Sequence, residues 1–190
     1  SSGTRRIVIV AFPGVQPLDV VGPAEVFNTA ARLVDDAYEV EVVAETGDAI
    51  HSGSGGYGLV PGSTIAGCRG PIDTLVVAGG LGVFEAEESE PLVSWIAEAA
   101  GRSRRVTSVC SGAFLLARAG LLDGYRATTH WESLDSFRES FPKVEAENAL
   151  FIMDRNRLTC AGGTAALDMM LHLISLQHGH RLAAAVSEQF

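Results

Sequence analysis

The chain has 190 residues, 47% of them hydrophobic, which is enough for one domain with a full core. Fourteen Lys and Arg against 23 Asp and Glu leave a formal net charge of −9, a field that repels nucleic acid. Three cysteines, Cys68, Cys110 and Cys160, with no close spacing, argue against a disulfide framework or a zinc knuckle and fit a reducing, cytoplasmic setting. No apolar run reaches the roughly 20 residues that a bilayer requires, so no membrane association is expected. His51, His172, His178 and His180 have no metal-ligand spacing, and no cofactor is expected. Ser1-Ser2-Gly3 reads as a cloning remnant.

Ile7–Phe12 is apolar throughout, as a strand covered on both faces should be. Pro13-Gly14 breaks it. Asp19 precedes a helix expected to open with Pro23 in its first turn and to run to about Val34. Tyr38–Ala44 alternates and reads as a second strand. His51–Gly70 is rich in Gly, Ser and Pro and suggests a hairpin around Gly55-Gly56 or a loop over a site. Ile72–Ala78 is a third buried strand, closed by Gly79-Gly80. A helix is expected from about Pro91 to Ala100, and a fourth strand over Val106–Val109.

Tyr125–Thr129 reads as a short strand followed by His130-Trp131, and a helix from about Glu132 stops at Pro142. Ala149–Met153 and Leu158–Ala161 suggest two short strands with a turn at Asn156. Thr164 to about Gln177 is a long helix, apolar on nearly every side, so it is expected to be buried in the core or between subunits. His178-Gly179-His180 interrupts it before a further helical stretch. Strands alternate with helices for most of the length. The expected fold is therefore α/β: a three-layer, flavodoxin-like sandwich with a mostly parallel sheet and helices on both faces. Ligands in such folds bind at the carboxyl ends of the strands.

Cys110 is the residue most open to chemistry. A β-branched strand ends at Val109 and an Ala/Leu-rich helix follows Cys110-Ser111-Gly112-Ala113, leaving almost no room for a loop. A side chain on such a turn stands clear of the sheet, and a helix N-terminus aimed at the sulfur favours the thiolate. The expected thiol pKa therefore lies below about 8.5, and the competing reading is a small buried hydrophobe. The Ser111 N–H and the amides around Gly79-Gly80 form a candidate oxyanion site, although a Gly pair there also suits a plain strand-ending turn. Asp19 is either an N-cap or a carboxyl partner that moves protons for Cys110. His130 is a candidate base or ligand contact, or a structural hydrogen-bonder. Cys68 and Cys160 read as structural.

Gly14-Val15-Gln16-Pro17-Leu18-Asp19-Val20-Val21-Gly22-Pro23-Ala24-Glu25-Val26-Phe27 resembles the first loop and helix of the ThiJ/PfpI superfamily, the class I glutamine amidotransferase-like fold. Val77–Gly80, Val109–Phe114 and Leu121–Trp131 continue the resemblance in order. It implies that Cys110 is the elbow residue and Asp19 its carboxyl partner. The common elbow of the superfamily has His directly after the Cys, where this chain has Ser111, so the usual protease or amidase chemistry does not carry over. Many members have Glu in the first loop, where this chain has Asp19.

Two branches share the pattern: isocyanide hydratase-like enzymes and the N-terminal sensor domains of AraC-family transcriptional regulators. Ala161–Leu171 with His180–Val186 resembles the end of the sensor domains. The helical pattern still runs at Phe190, so residues 1–190 are expected to be a single domain cut before a C-terminal helix-turn-helix domain. The resemblance implies a homodimer that senses a small-molecule ligand and reaches DNA only through the missing domain. The alternative is a cysteine-dependent enzyme, hydratase-like or amidase-like, acting on a small nitrogen-containing substrate.

Overall fold

A computed structural model describes residues 3–53 and 55–190. Ser1 and Ser2 lie outside the described residues, as does Ser54 in the expected hairpin.

The chain runs β1 (Arg5–Val10), α1 (Pro17–Leu33), β2 (Tyr38–Ala44), β3 (Ile50–His51), β4 (Gly58–Leu59), β5 (Ser63–Thr64) and β6 (Ile72–Val77). It continues through α2 (Val83–Ala86), α3 (Glu90–Gly101), β7 (Ser103–Val109), α4 (Ala113–Arg118), β8 (Arg126–Ala127), α5 (Leu134–Ser140) and β9 (Glu145–Ala146). It closes with β10 (Phe151–Asp154), β11 (Arg157–Cys160), α6 (Thr164–His178) and α7 (His180–Ser187).

Seven strands form the main sheet in the order β10-β11-β7-β6-β1-β2-β5. Every neighbouring pair is parallel except β10 with β11. Every residue of the central strand β6 is buried, including Asp73 and Thr74 at its start, and Leu75–Val77 form its apolar end. Helices α1, α6 and α7 pack together as one layer, and α2, α3 and α4 as another. This is the α/β sandwich that the alternating pattern implied. The expected hairpin exists as β3 paired antiparallel with β4. The expected turn at Asn156 joins β10 to β11, with Arg155 in the left-handed region at φ 55°.

Helix α1 departs most from expectation, because it starts at Pro17, six residues before Pro23. Pro17 occupies the first turn, where its missing N–H costs nothing. Pro23 lies inside the helix and removes one backbone hydrogen bond. A proline there costs about 3 kcal/mol in isolation. Burial of Val20, Val26, Phe27 and Ala30 against the sheet offsets it. Helix α6 buries Met169, Met170, Leu173 and Ile174, while α1 and α7 cover its outer side. These residues place α6 in the core of this chain, while Leu176 remains exposed.

The sheet order reverses between β1 and β6: the chain leaves β1 toward β2 on one side and returns to β6 on the other. A crevice opens at such a switch point, at the carboxyl ends of the strands. The loops after β1 and β6 meet there, where the Gln16 N–H donates to the Gly79 carbonyl at 2.8 Å and the Gly82 N–H to the Gly14 carbonyl at 3.0 Å.

Candidate functional site

Cys110 follows β7 directly, with φ 56°. A non-glycine residue held there stores backbone strain, and such strain gathers at functional sites. Cys110–Gly112 form a single 3-10 turn before α4 begins. The elbow stays tight because its neighbours are small. A Cβ on Gly79 would stand 2.6 Å from the Ser111 nitrogen. The glycine therefore lets the β6 loop approach the elbow, rather than a ligand approach the loop. The Thr129 hydroxyl donates to the Cys110 carbonyl at 3.1 Å and fixes the turn from the far side.

Asp19 is the third residue of α1 and is 5% exposed. It is not the N-cap: that position is Gln16, and the Asp19 carboxylate instead accepts the Gly79 N–H at 3.2 Å, across the crevice. Burial pushes the Asp19 carboxyl up to about 6, against the Gly79 hydrogen bond. Burial first, and then the Asp19 charge, push the Cys110 thiol up to about 11. Hydrogen bonds from the Ser111 amide and hydroxyl and the field of Glu132 act more weakly. This corrects the expected low thiol pKa. A short helix beginning at Ala113 does not outweigh loss of solvent and a carboxylate neighbour.

Two of the three candidate oxyanion donors are committed, and the third, the Ser111 N–H, faces the Cys110 sulfur. The Gly79 N–H serves Asp19. The Gly80 N–H donates to the Ser111 hydroxyl at 2.9 Å, and that hydroxyl donates back to the Gly80 carbonyl at 3.2 Å. Ser111 thus closes a reciprocal latch on the β6 loop, in the position where the superfamily commonly has His. At His130, Nδ1 accepts the Glu132 N–H at 3.3 Å. That contact holds the ring by its Nδ1 side, at the edge of the crevice.

A cavity of about 320 Å³ lies over these groups, within the range of small-molecule sites. Cys110, Ser111, Gly80 and His130 line it. Asp19 is not among its lining residues; its carboxylate meets the Gly79 N–H beside the lining residue Gly80. Phe84, Leu81 and Glu132 also line it, and the sequence pattern gave no sign of them. Phe84 belongs to the four-residue helix α2, too short to leave a periodicity. Leu81 is 79% exposed and Phe84 48%, so the site carries apolar surface open to solvent. Cys68 and Cys160 are buried, and Cys160 lies close enough for its thiol to accept from the Cys110 amide.

A first-loop carboxyl, a left-handed Cys elbow and a site at this switch point coincide with one sequence profile, that of the DJ-1/PfpI family, over residues 5–176. The chain belongs to the DJ-1/PfpI family. It is 48% identical over 119 residues to the HTH-type transcriptional regulator GbdR of Pseudomonas aeruginosa, covering 63% of this chain and 32% of that regulator. It is 36% identical over 178 residues to the regulator CdhR of the same organism, covering 94% and 52%. This DJ-1/PfpI chain therefore spans about a third to a half of those regulators. It is also 36% identical over 170 residues to the isonitrile hydratase of Pseudomonas putida, covering 88% and 70%. Among solved structures, a ThiJ/PfpI family protein from Pseudomonas syringae superposes with a TM-score of 0.89 at 31% identity, covering 98% of this chain and 74% of that one. An AraC family transcriptional regulator from Pseudomonas putida superposes at 0.83 and 28% identity, covering 97% and 98%.

Proposed function

We propose that this chain is the ligand-sensing and dimerising part of an AraC-type transcriptional regulator in the cytoplasm. Its DNA contacts would be made by a helix-turn-helix domain outside residues 1–190. One observation carries the reading: a ligand-sized cavity stands over an elbow at which the Gly79 and Gly80 N–H groups are already taken by Asp19 and Ser111. Acyl-transfer catalysis needs such donors free for the developing charge. Binding does not. The relatives named as HTH-type regulators support the same choice.

The test uses both lengths of protein. The 190-residue chain should not bind operator DNA, since its net charge of −9 opposes phosphate contacts. The product of the complete gene should bind a pair of promoter half-sites, and a small ligand should alter that binding. DNA binding by residues 1–190 alone would defeat this division of labour.

The strained elbow, with Asp19 beside it, favours one alternative, a hydratase. In that reading the Cys110 sulfur attacks the terminal carbon of an isonitrile, water displaces it, and an N-substituted formamide leaves. Asp19 would carry the protons. Turnover of a simple isonitrile that disappears in Cys110→Ala would establish this reading in place of the sensor.

A further inference from the structure

The end of the sheet opposite Cys110 holds a second cavity, of about 600 Å³, lined by Thr4, Arg5, Arg6, Arg102, Ser103 and Arg104 among others. Strand β7 starts here and ends at the elbow, so about 20 Å separates the two sites. The charge arrangement is unusual for so acidic a chain. Arg5 Nη1 and Arg104 Nη1 donate to the same oxygen, Asp73 Oδ1, at 3.1 and 3.3 Å. The other oxygen of Asp73 accepts from Thr74 Oγ1 at 2.9 Å and Gln177 Nε2 at 2.8 Å. Asp73, 7% exposed at its side chain, is saturated. The half-buried Arg105 also lies in the field of Asp73, and its Nη1 is buried with no hydrogen-bond partner among the described residues.

Two guanidinium groups thus share one carboxylate at the cavity, and Arg105, outside its lining, adds a third positive charge in the same field. Arg6 and Arg102 differ: each has its own acid, Glu41 and Glu98, and backbone carbonyls of residues 68–70. Like charges gathered at one buried carboxylate repel, and an added anion removes that repulsion. Arg5 and Arg104 each spend one hydrogen-bond donor on Asp73 among the contacts formed, and their planar forks match tetrahedral oxyanions.

We propose that this cavity binds a small doubly charged oxyanion, inorganic phosphate or a phosphate monoester, between Arg5 and Arg104. A small dianion feels mainly the local field, because screening sets in within about 10 Å. A nucleic acid would meet the whole acidic surface.

The experiment titrates the 190-residue chain with inorganic phosphate and, separately, with glycerol phosphate, at constant ionic strength balanced by chloride. Backbone amide shifts of Thr4, Ser103 and Arg104 are followed by NMR. Saturable shifts are expected. Tighter binding of the ester identifies a metabolite ester as the natural source, and tighter binding of inorganic phosphate identifies the free ion. The Arg104 side chain is 58% exposed, so Arg104→Ala should fold normally. It should weaken binding about tenfold, the value of one charge-assisted contact. Arg138→Ala, on α5 outside the cavity, should leave binding unchanged. Shifts linear in concentration, equal shifts with chloride, or unaltered binding by Arg104→Ala would overturn the proposal. So would a short DNA duplex that saturates the same amides at a lower phosphate concentration.

Discussion

An ionised Asp19 and a Cys110 thiolate disfavour each other across the crevice, and each is already disfavoured by burial. The Asp19 carboxyl titrates at about 6 in the folded chain and near 3.9 in an unfolded one. The native state therefore keeps this proton between about pH 4 and 6, and the group's contribution to stability falls as pH rises through that window. Above it, the buried carboxylate costs at most about 3 kcal/mol. Asp19→Asn keeps an acceptor for the Gly79 N–H and removes that cost. Urea denaturation should show the variant gaining on the parent between pH 4 and pH 7; a constant difference would refute the assignment. The same substitution should lower the Cys110 pKa, so iodoacetamide should label the thiol faster at neutral pH than in the parent chain. In the parent chain labelling should accelerate mainly as pH climbs toward 11. An unchanged rate in the variant would separate Asp19 from Cys110.

At the scale of elements, the elbow depends on two loops coming closer than side chains allow. Gly162, after β11, has φ 102°, and a Cβ there would stand 3.0 Å from Cys110 Cβ. Gly162→Ala combines backbone strain with overpacking and should lose about 2–4 kcal/mol by thermal or chemical denaturation. Ser111→Ala removes the latch and leaves the Gly80 N–H without its partner, at a cost of about 1–3 kcal/mol. If the latch also blocks chemistry, Ser111→Ala should gain rather than lose any trace of hydrolytic activity toward a small ester; reduced activity would show that the hydroxyl assists. Long elements such as β6, α3 and α6 were legible because their hydrophobic period persists over several turns or the full strand. The start of α1 was not, because Pro23 reads locally as a helix opening, while the energy that carries the helix through it comes from packing. Helix α2, four residues long, has no period to read.

For the whole molecule, the proposed assembly is a symmetric homodimer. Leu18 and Val21 are exposed on one side of α1, three residues apart. Light scattering should give twice the chain mass, and Val21→Asp should shift it toward the monomer without unfolding. A monomeric parent chain at high concentration would count against dimerisation. Among the described residues, no helix is long and apolar enough to cross a membrane.

The alternation of apolar strands and amphipathic helices, with the Gly and Pro breaks between them, was sufficient by itself to specify a parallel α/β sheet and to place Asp19, Gly79, Cys110 and His130 just after strands. Those are local properties, set by side-chain period and backbone chemistry. Which partner each group takes is a different matter. Whether Asp19 caps a helix or crosses to Gly79, whether Gly80 faces a ligand or Ser111, and whether Cys110 is acidified or suppressed all depend on sheet order and burial. Desolvation and hydrogen-bond competition act between residues far apart in the chain, and only the folded arrangement brings them within range.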